Sequence, residues 1–489
     1  MNDSRSHFSG NLQDIARQLL QENGFIAVYP PEVAQQLAAL KANPPKVAPG
    51  VQIRDLRDLL WSSIDNDTSR DLDQIEVAEK LSGGETKVLV GIADVDAFVP
   101  KNSPIDQFAA TQTATLYAGI HNFSMLPEDL STGLTSLLEN EDRLAIVIEF
   151  VVAADGCVTS SNVYRAVVRN KAQLTYNAVG AWLDGGDAPP KVAASADLQA
   201  QLKLQDAVAQ SLKLQRYHHG ALNLESSELQ PVIVGSQVVD VTGEQKNHAT
   251  DLIEDFMIAA NGAVAQFLEK VSSLRRVVKT PEHWDRIVQL ANRLGETLPA
   301  DPDSKALNDF LIKRKAADPA TFATLSLSVI KLIGSGEYVL ERPGDPETGH
   351  FGLAVQDYTH STAPNRRFAD LVTQRIIKAL LAGQPNPYTD QELDEIAKNC
   401  TSREDAAQKV ERGMAKRLAA VAMSHKIGQV FDAVVANTGA SGTFVRLFQP
   451  HLDGLLAQGA DGAKVGDRFK VKLIRVDVSK GYLDFARSA

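Results

Sequence analysis

Residues 64–76 read IDNDTSRDLDQIE, and the fold turns on how this stretch is read. Asp65, Asp67, Asp71 and Asp73 stand at odd-numbered positions, and Glu76 closes the run. Like charges this close repel, and the usual reason a chain keeps them together is a cation. Three chemistries compete. Asp65, Asp67, Ser69, Asp71, Asp73 and Glu76 fall on the ligand positions of a calcium loop. Arg70, however, stands where such a loop turns on glycine, and no second loop of this kind is present. Asp, Asn and Ser also cap their own backbone in turns, and an exposed loop can carry several of them. The third chemistry is a magnesium site, with a few carboxylates holding an ion against a substrate phosphate. Two such ions can clamp the attacking and leaving oxygens of a phosphoryl transfer. The stretch alone leaves all three open.

The bulk numbers narrow the class. A chain of 489 residues predicts more than one domain, and 44% hydrophobic residues are enough for a sizeable core. No apolar run is long enough to span a membrane, and the opening MNDSRSHFSGNLQD has no secretory signal character. Two distant cysteines, Cys157 and Cys400, exclude a disulfide framework or a zinc site by count and fit a reducing, cytoplasmic setting. The net charge of −11 argues against a surface coated for nonspecific nucleic-acid binding, but not against a local basic channel.

Outward from the aspartates, the chain divides into three parts. Residues 1–48 read as a small helical unit, with Ile15, Leu19 and Leu20 on one face before Gly24, and Val33, Leu37 and Leu40 on a second helix. This unit is either a helix-turn-helix or a helical arm packed on the next domain. Residues 49–427 read as one large α+β domain. KVLVGIADVDAFV and RLAIVIEFVVAADG are strand-like, NHATDLIEDFMIAANGAVAQFLEKV is helical with Asn247 or Thr250 as its cap, and 391–427 is a long helix. Residues 428–489 change character: short alternating runs between glycine turns predict five strands in a Greek-key barrel of the OB type. With eight Lys and Arg against six Asp and Glu, this module carries +2 inside an acidic protein.

Four further segments decide between the chemistries. SIDNDTSRDLDQ resembles the aspartate signature of the ribonuclease II family, whose RNB domain carries four aspartates in a D-x5-D-x-D-D pattern. Asp65, Asp71 and Asp73 match the first three; the fourth position is Gln74. GIADVDAFV (91–99), TLYAGIHNFSMLPEDLSTGLTSLLENEDRLA (115–145), LIEDFMIAANGAVA (252–265) and YTHSTAPNRRFADLVTQR (358–375) resemble family segments in the family's order. The tail resembles the S1 RNA-binding domain that this family commonly carries at that end.

The resemblance implies hydrolysis of single-stranded RNA from its 3′ end to nucleoside 5′-monophosphates, with Mg2+ or Mn2+. Asp65, Asp71, Asp73 and Gln74 would hold the metal, the neutral Gln74 offering less charge than an aspartate and Asp67 standing by to compensate. Asp71 and Asp73 are the catalytic carboxylates by this match, Asp73 the most sensitive. Arg366 would face the scissile phosphate, on a helix read as starting at Pro364; an ordinary pair between Arg366 and Asp370 is the bland alternative. Arg367 would meet a neighbouring phosphate, and Tyr117 would stack near the 3′ end. Trp284, or His283, is a candidate second clamp, and Glu411 a candidate ribose contact. In the tail, Phe444, Phe448 and His451 sit where S1 domains stack RNA, the two phenylalanines brought to one face by strand alternation. The best-known relatives carry two cold-shock barrels before the nuclease, which 1–48 cannot hold, so a differently built RNA entrance is expected. A monomer with no obligate protein partner is expected.

Overall fold

The strand-like stretches around the aspartates pair into one sheet because their apolar residues alternate or run continuously, as buried strands require. In this computed structural model residues 12–46, 50–225, 229–234, 237–243 and 246–488 are described. The reading of 1–11 as free of a secretory signal lies outside them. Helices α1 (Leu12–Glu22) and α2 (Pro31–Ala42) come first, followed by strands β1 (Arg54–Asp55), β2 (Ser62–Asp65), β3 (Gln74–Lys80) and β4 (Thr86–Ala93). After α3 (Pro104–Gln112) and the small hairpin β5 (Leu116–Tyr117) and β6 (Asn122–Phe123) come β7 (Asp142–Val152), β8 (Val158–Arg169) and β9 (Ala172–Thr175). The seven strands β1 to β4 and β7 to β9 form a mixed sheet in the order β1-β8-β7-β4-β3-β2-β9. Gly156, in the β7–β8 turn, has φ +86°, and a Cβ there would lie 2.2 Å from the Ser211 carbonyl, so only glycine fits.

Helices α4 (Tyr176–Leu183), α5 (Pro190–Ala193), α6 (Ala196–His218) and α7 (His248–Phe267) come next, with the hairpin β10 (Leu229–Val234) and β11 (Gln237–Gly243) before α7. Helix α7 covers one face of the sheet, packing on β4, β7 and β8, with Phe256 edge-on to Phe150 at 6.2 Å. Asn247 caps α7 in a reciprocal box with Thr250. Before β2 begins, where β3 runs on without that partner, Gln201 of α6 takes over the exposed ladder, bonding both the N–H and the carbonyl of Ala78.

Beyond β12 (Ser273–Val277), helices α8 (Trp284–Arg293), α9 (Ser304–Ala317) and α10 (Pro319–Ile333) build a satellite core, and β13 (Glu337–Glu341) returns to pair with β12. Helix α11 (Phe368–Leu381) leads to α12 (Asp390–Ser424), a 35-residue helix capped by Thr389 and Glu392. One flank of α12 takes α1, whose Ala16 and Leu20 bury with Val410 and Met414. Helix α2 instead lies on α3, so the N-terminal unit packs as an arm along the central α+β body. Farther along, α12 touches β5, the β10–β11 hairpin and the tail. The tail is a closed barrel of β14 (Val430–Gly439), β15 (Gly442–Leu447), β16 (Asp453–Gln458), β17 (Arg468–Asp477) and β18 (Tyr482–Arg487), in the order β14-β15-β16-β18-β17.

Candidate active site

The aspartate stretch leaves the sheet at the end of β2 and re-enters at the start of β3. Asp65 accepts hydrogen bonds from the Asn66 N–H at 2.7 Å and the Ser69 hydroxyl at 2.8 Å, which folds the intervening turn. Ser136 clamps the other side, accepting from the Leu72 N–H at 3.0 Å and donating to the Arg70 carbonyl at 2.7 Å. From Gln74 onward the chain is strand, so the stretch does not close as a twelve-residue calcium loop. Asp67 is exposed and accepts from Asn177, on the α4 side of the turn.

Asp73 is the buried centre, 1% exposed. Its carboxylate accepts from the Asn365 N–H at 2.9 Å and from Arg366 Nε at 3.1 Å. Burial pushes its carboxyl up from 3.8 to about 7 against the pull of Arg366 and the Asn365 amide, with Asp71 and Asp370 adding to the rise. Burial also raises Asp71, with Arg366 opposing and Asp65 reinforcing the shift. The side chain of Arg366 is 42% exposed and faces Asp73, Tyr117, Asp65 and Asp71. With Nε spent on Asp73, its terminal nitrogens lie beside the Tyr117 phenol and toward solvent. Tyr117 is itself 43% exposed, and its N–H donates to Glu411 Oε1 at 3.0 Å, which joins α12 to the site.

The segment bearing Arg366 differs from the expected helix. Pro364, Asn365 and Arg366 form a turn, and α11 starts only at Phe368. The reason is a β-bridge: Thr115 N–H bonds the Arg366 carbonyl and Phe368 N–H bonds the Thr113 carbonyl, drawing the chain out of helical register. The ordinary helix pair forms one residue later, where Arg367 binds Asp370 through Nε at 2.9 Å and a terminal nitrogen at 2.7 Å. Arg367 is thus turned inward, and Arg366 is the arginine at the aspartates. The turn is held from behind. Asp370 accepts from the Ala363 N–H, Thr135 donates to the Asn365 side chain, and buried Asn261 of α7 bonds the Ser361 N–H and hydroxyl, Tyr358 and Thr362. Sequence reading did not single out Asn261, Ser136 or Asn365. Their positions within the quoted segments were the available signal.

Other candidates stand elsewhere. Trp284 is 4% exposed in the satellite core, its indole N–H donating to the Pro299 carbonyl, so it is no clamp; His283 beside it is exposed. Phe448 lies one residue beyond the end of β15, so alternation does not carry it to the face of Phe444. Phe448 and His451 instead line a pocket with Glu225, Pro319, Ala323 and Asp432, between the barrel and the start of α10. Arg468 lies over the Phe448 ring at 5.7 Å and pairs with Asp318.

Gln74 is 3% exposed at the first position of β3. Two residues on, Glu76 is fully buried, and neither of its carboxylate oxygens has a hydrogen-bond partner. Burial first, and Asp65 second, lift its carboxyl well above the ordinary range. The neighbouring donors are all hard oxygens, carboxylates and one amide, the set that suits Mg2+ or Mn2+. Among the described residues no three such groups close tightly on one point. What fits a divalent ion is the chemistry of the donors: crowded carboxylates and an orphaned one that a cation would relieve.

Comparison with known proteins gives a consistent answer. Residues 53–383 match the RNB domain, and residues 429–488 match the RNase II-type exonuclease C-terminal S1 domain. Ribonuclease R of Escherichia coli is 30% identical over 502 residues, which take in 94% of this chain and 60% of that protein. Ribonuclease R of Thermotoga maritima is 30% identical over 493 residues, 94% of this chain and 68% of that one. The chain therefore spans about 60% of the Escherichia coli relative's length. The solved structure of Mycoplasma genitalium RNase R in complex with ribose methylated single-stranded RNA superposes with a TM-score of 0.87 at 24% identity, over 98% of this chain and 78% of that one. At that identity the likeness is one of fold.

Proposed function

The chain belongs to the RNB-domain family, and we propose that it is a 3′→5′ exoribonuclease that hydrolyses single-stranded RNA to nucleoside 5′-monophosphates. One observation carries this reading: buried Asp73 grips Arg366 and the Asn365 amide from a segment far along the chain, beside Asp71, Asp65 and the exposed Tyr117. Asp65, Asp71, Asp73 and Gln74 would hold a divalent cation, Mg2+ or Mn2+, which when bound would supply the charge that activates water and steadies the departing oxygen.

The chain's own residues do the rest. Asp73 orients Arg366, whose partly open guanidinium meets the phosphate as negative charge builds on it. Tyr117 offers a sequence-blind stacking surface for a base near the 3′ end, held through its backbone by Glu411. Phe448 and His451 continue the path between the barrel and α10. The working division is 1–48, 49–427 and 428–489. We infer a monomer acting in the cytoplasm; two free cysteines fit a reducing compartment, and no described helix is long and apolar enough to cross a membrane.

A second reading rests on Gln74. A neutral side chain at the fourth position would give an RNA-binding relative that does not cut. One experiment separates the two: a 5′-labelled single-stranded oligoribonucleotide with Mg2+, beside Asp73→Asn and a DNA control. Progressive shortening from the 3′ end that spares DNA and is lost in the variant supports hydrolysis. Binding without cleavage supports the second reading.

A further inference from the structure

Gln74 leaves the aspartate set one carboxylate short, and the structure holds another carboxylate close by. Strand β3 pairs with β4 as Gln74 to Ile92, Glu76 to Val90 and Ala78 to Val88, and β4 pairs Val88 with Phe150. Directly opposed residues share a face of a sheet, and so do alternate residues of a strand. Phe150 meets Phe256, so Gln74, Glu76 and Ala78 all lie on the face that α7 covers. Glu76 is therefore the next residue on the same side as Gln74, at the end of β3 where the aspartates stand.

Its surroundings are unusual for an acid. Directly across the β2–β3 pair from Glu76 is Ser62, also fully buried. Both oxygens of Glu76 and the hydroxyl of Ser62 lack any hydrogen-bond partner. Leaving three buried oxygens on facing positions without partners is costly unless something absent from the chain's own bonding meets them. Among the described residues no Lys or Arg reaches either oxygen of Glu76. A fully buried carboxyl with both oxygens unpartnered has room in its bonding for a cation.

We propose that Glu76 is a ligand of the divalent cation, supplying from the same face of β3 the carboxylate charge that Gln74 withholds, with the Ser62 hydroxyl on the facing strand beside it. This rests on the hydrolytic reading above and names the residue that lets that reading survive the change at 74. An acid buried among apolar side chains with nothing to bind would otherwise be a standing defect in the centre of the sheet.

The test is direct binding. Mn2+ is titrated into the full chain, and the unbound ion is followed by electron paramagnetic resonance. Wild type, Glu76→Gln and the double variant Gln74→Asp with Glu76→Gln are compared, each with a thermal melt. The expected result is a loss of Mn2+ affinity of about tenfold or more in Glu76→Gln, given that even outer partners of a metal site cost 10–100-fold. The melting temperature should be unchanged or higher, since glutamine keeps the size of the side chain and removes a buried acid that has no partner. The double variant should recover affinity, because the carboxylate returns at 74. Wild-type affinity in Glu76→Gln overturns the assignment while leaving the nuclease reading intact, provided that the wild type binds Mn2+ and cuts RNA. A wild type that takes up no Mn2+ overturns both.

Discussion

Replacing Asp73 by Asn should make the metal-free protein more stable, and increasingly so as pH rises. The carboxyl is 1% exposed, and burial lifts it from 3.8 to about 7 even though Arg366 and the Asn365 amide favour the anion. An acid whose affinity for its proton rises on folding favours the folded state while protonated. That contribution is complete below the unfolded value of 3.8 and is lost as pH climbs through about 7. Keeping the anion buried at about pH 8 therefore costs roughly 4 kcal/mol. Asparagine has no charge to bury and keeps an oxygen for the Asn365 N–H. Between about pH 5 and about pH 8 its advantage over aspartate should grow by roughly 2–3 kcal/mol. Urea unfolding in the presence of a chelator, followed by tryptophan fluorescence, reads this out, since Trp61 is buried in the sheet's core. Added Mg2+ should shrink the difference, because a cation favours only the wild-type carboxylate. RNA cleavage by the variant should be lost throughout. A stability difference that stays flat from low to high pH would refute the reasoning, for Arg366 would then offset the whole cost of burial.

Arg366→Ala should lower the cleavage rate about 10²–10³-fold. Its residual rate should rise with pH only above the wild-type onset, because Asp73 loses the cation that holds its carboxyl down; a rate–pH profile checks both. Asn261→Ala removes the bonds to Ser361, Tyr358 and Thr362 and should cost roughly 2–3 kcal/mol in a thermal or urea melt, with slower cleavage as the Arg366 turn loosens. Tyr117→Ala should weaken binding of short RNA by roughly 1–3 kcal/mol in a fluorescence-anisotropy titration and change the length of the final product on a sequencing gel. Phe448→Ala should weaken binding of long RNA while sparing the shortest substrates, since its pocket lies at the barrel and α10 and not at Asp73.

What the sequence showed plainly was whatever local pattern determines. Alternation and caps placed β4, β7, α7 and α12, and glycine-punctuated short runs announced the closed barrel. The start of α11 was misread because a proline followed by a helical pattern is a good start signal, and the bridge to 113–115 that overrides it is a tertiary contact. The same limit hid Ser136 and Asn261, polar residues whose value lies in bonds to segments far along the chain. Local pattern does not separate Arg366 from Arg367; the resemblance put Arg366 at the phosphate, and the direction of the turn pairs Arg367 with Asp370 and Arg366 with Asp73. Trp284 looked available for stacking because aromatic residues serve cores and ligands alike, and burial decides between them.

The contact between Asp73 and Arg366 spans 293 residues of chain. A ribosome adds about 5–20 residues per second, so roughly 15–60 seconds of synthesis separate the two. Through that interval the growing polypeptide carries its aspartates without the arginine and the turn that complete them. On the proposed function, this protein begins its existence tethered to an RNA of the kind it would cut, and the order in which the chain is written keeps the candidate site unassembled until most of that message has been read.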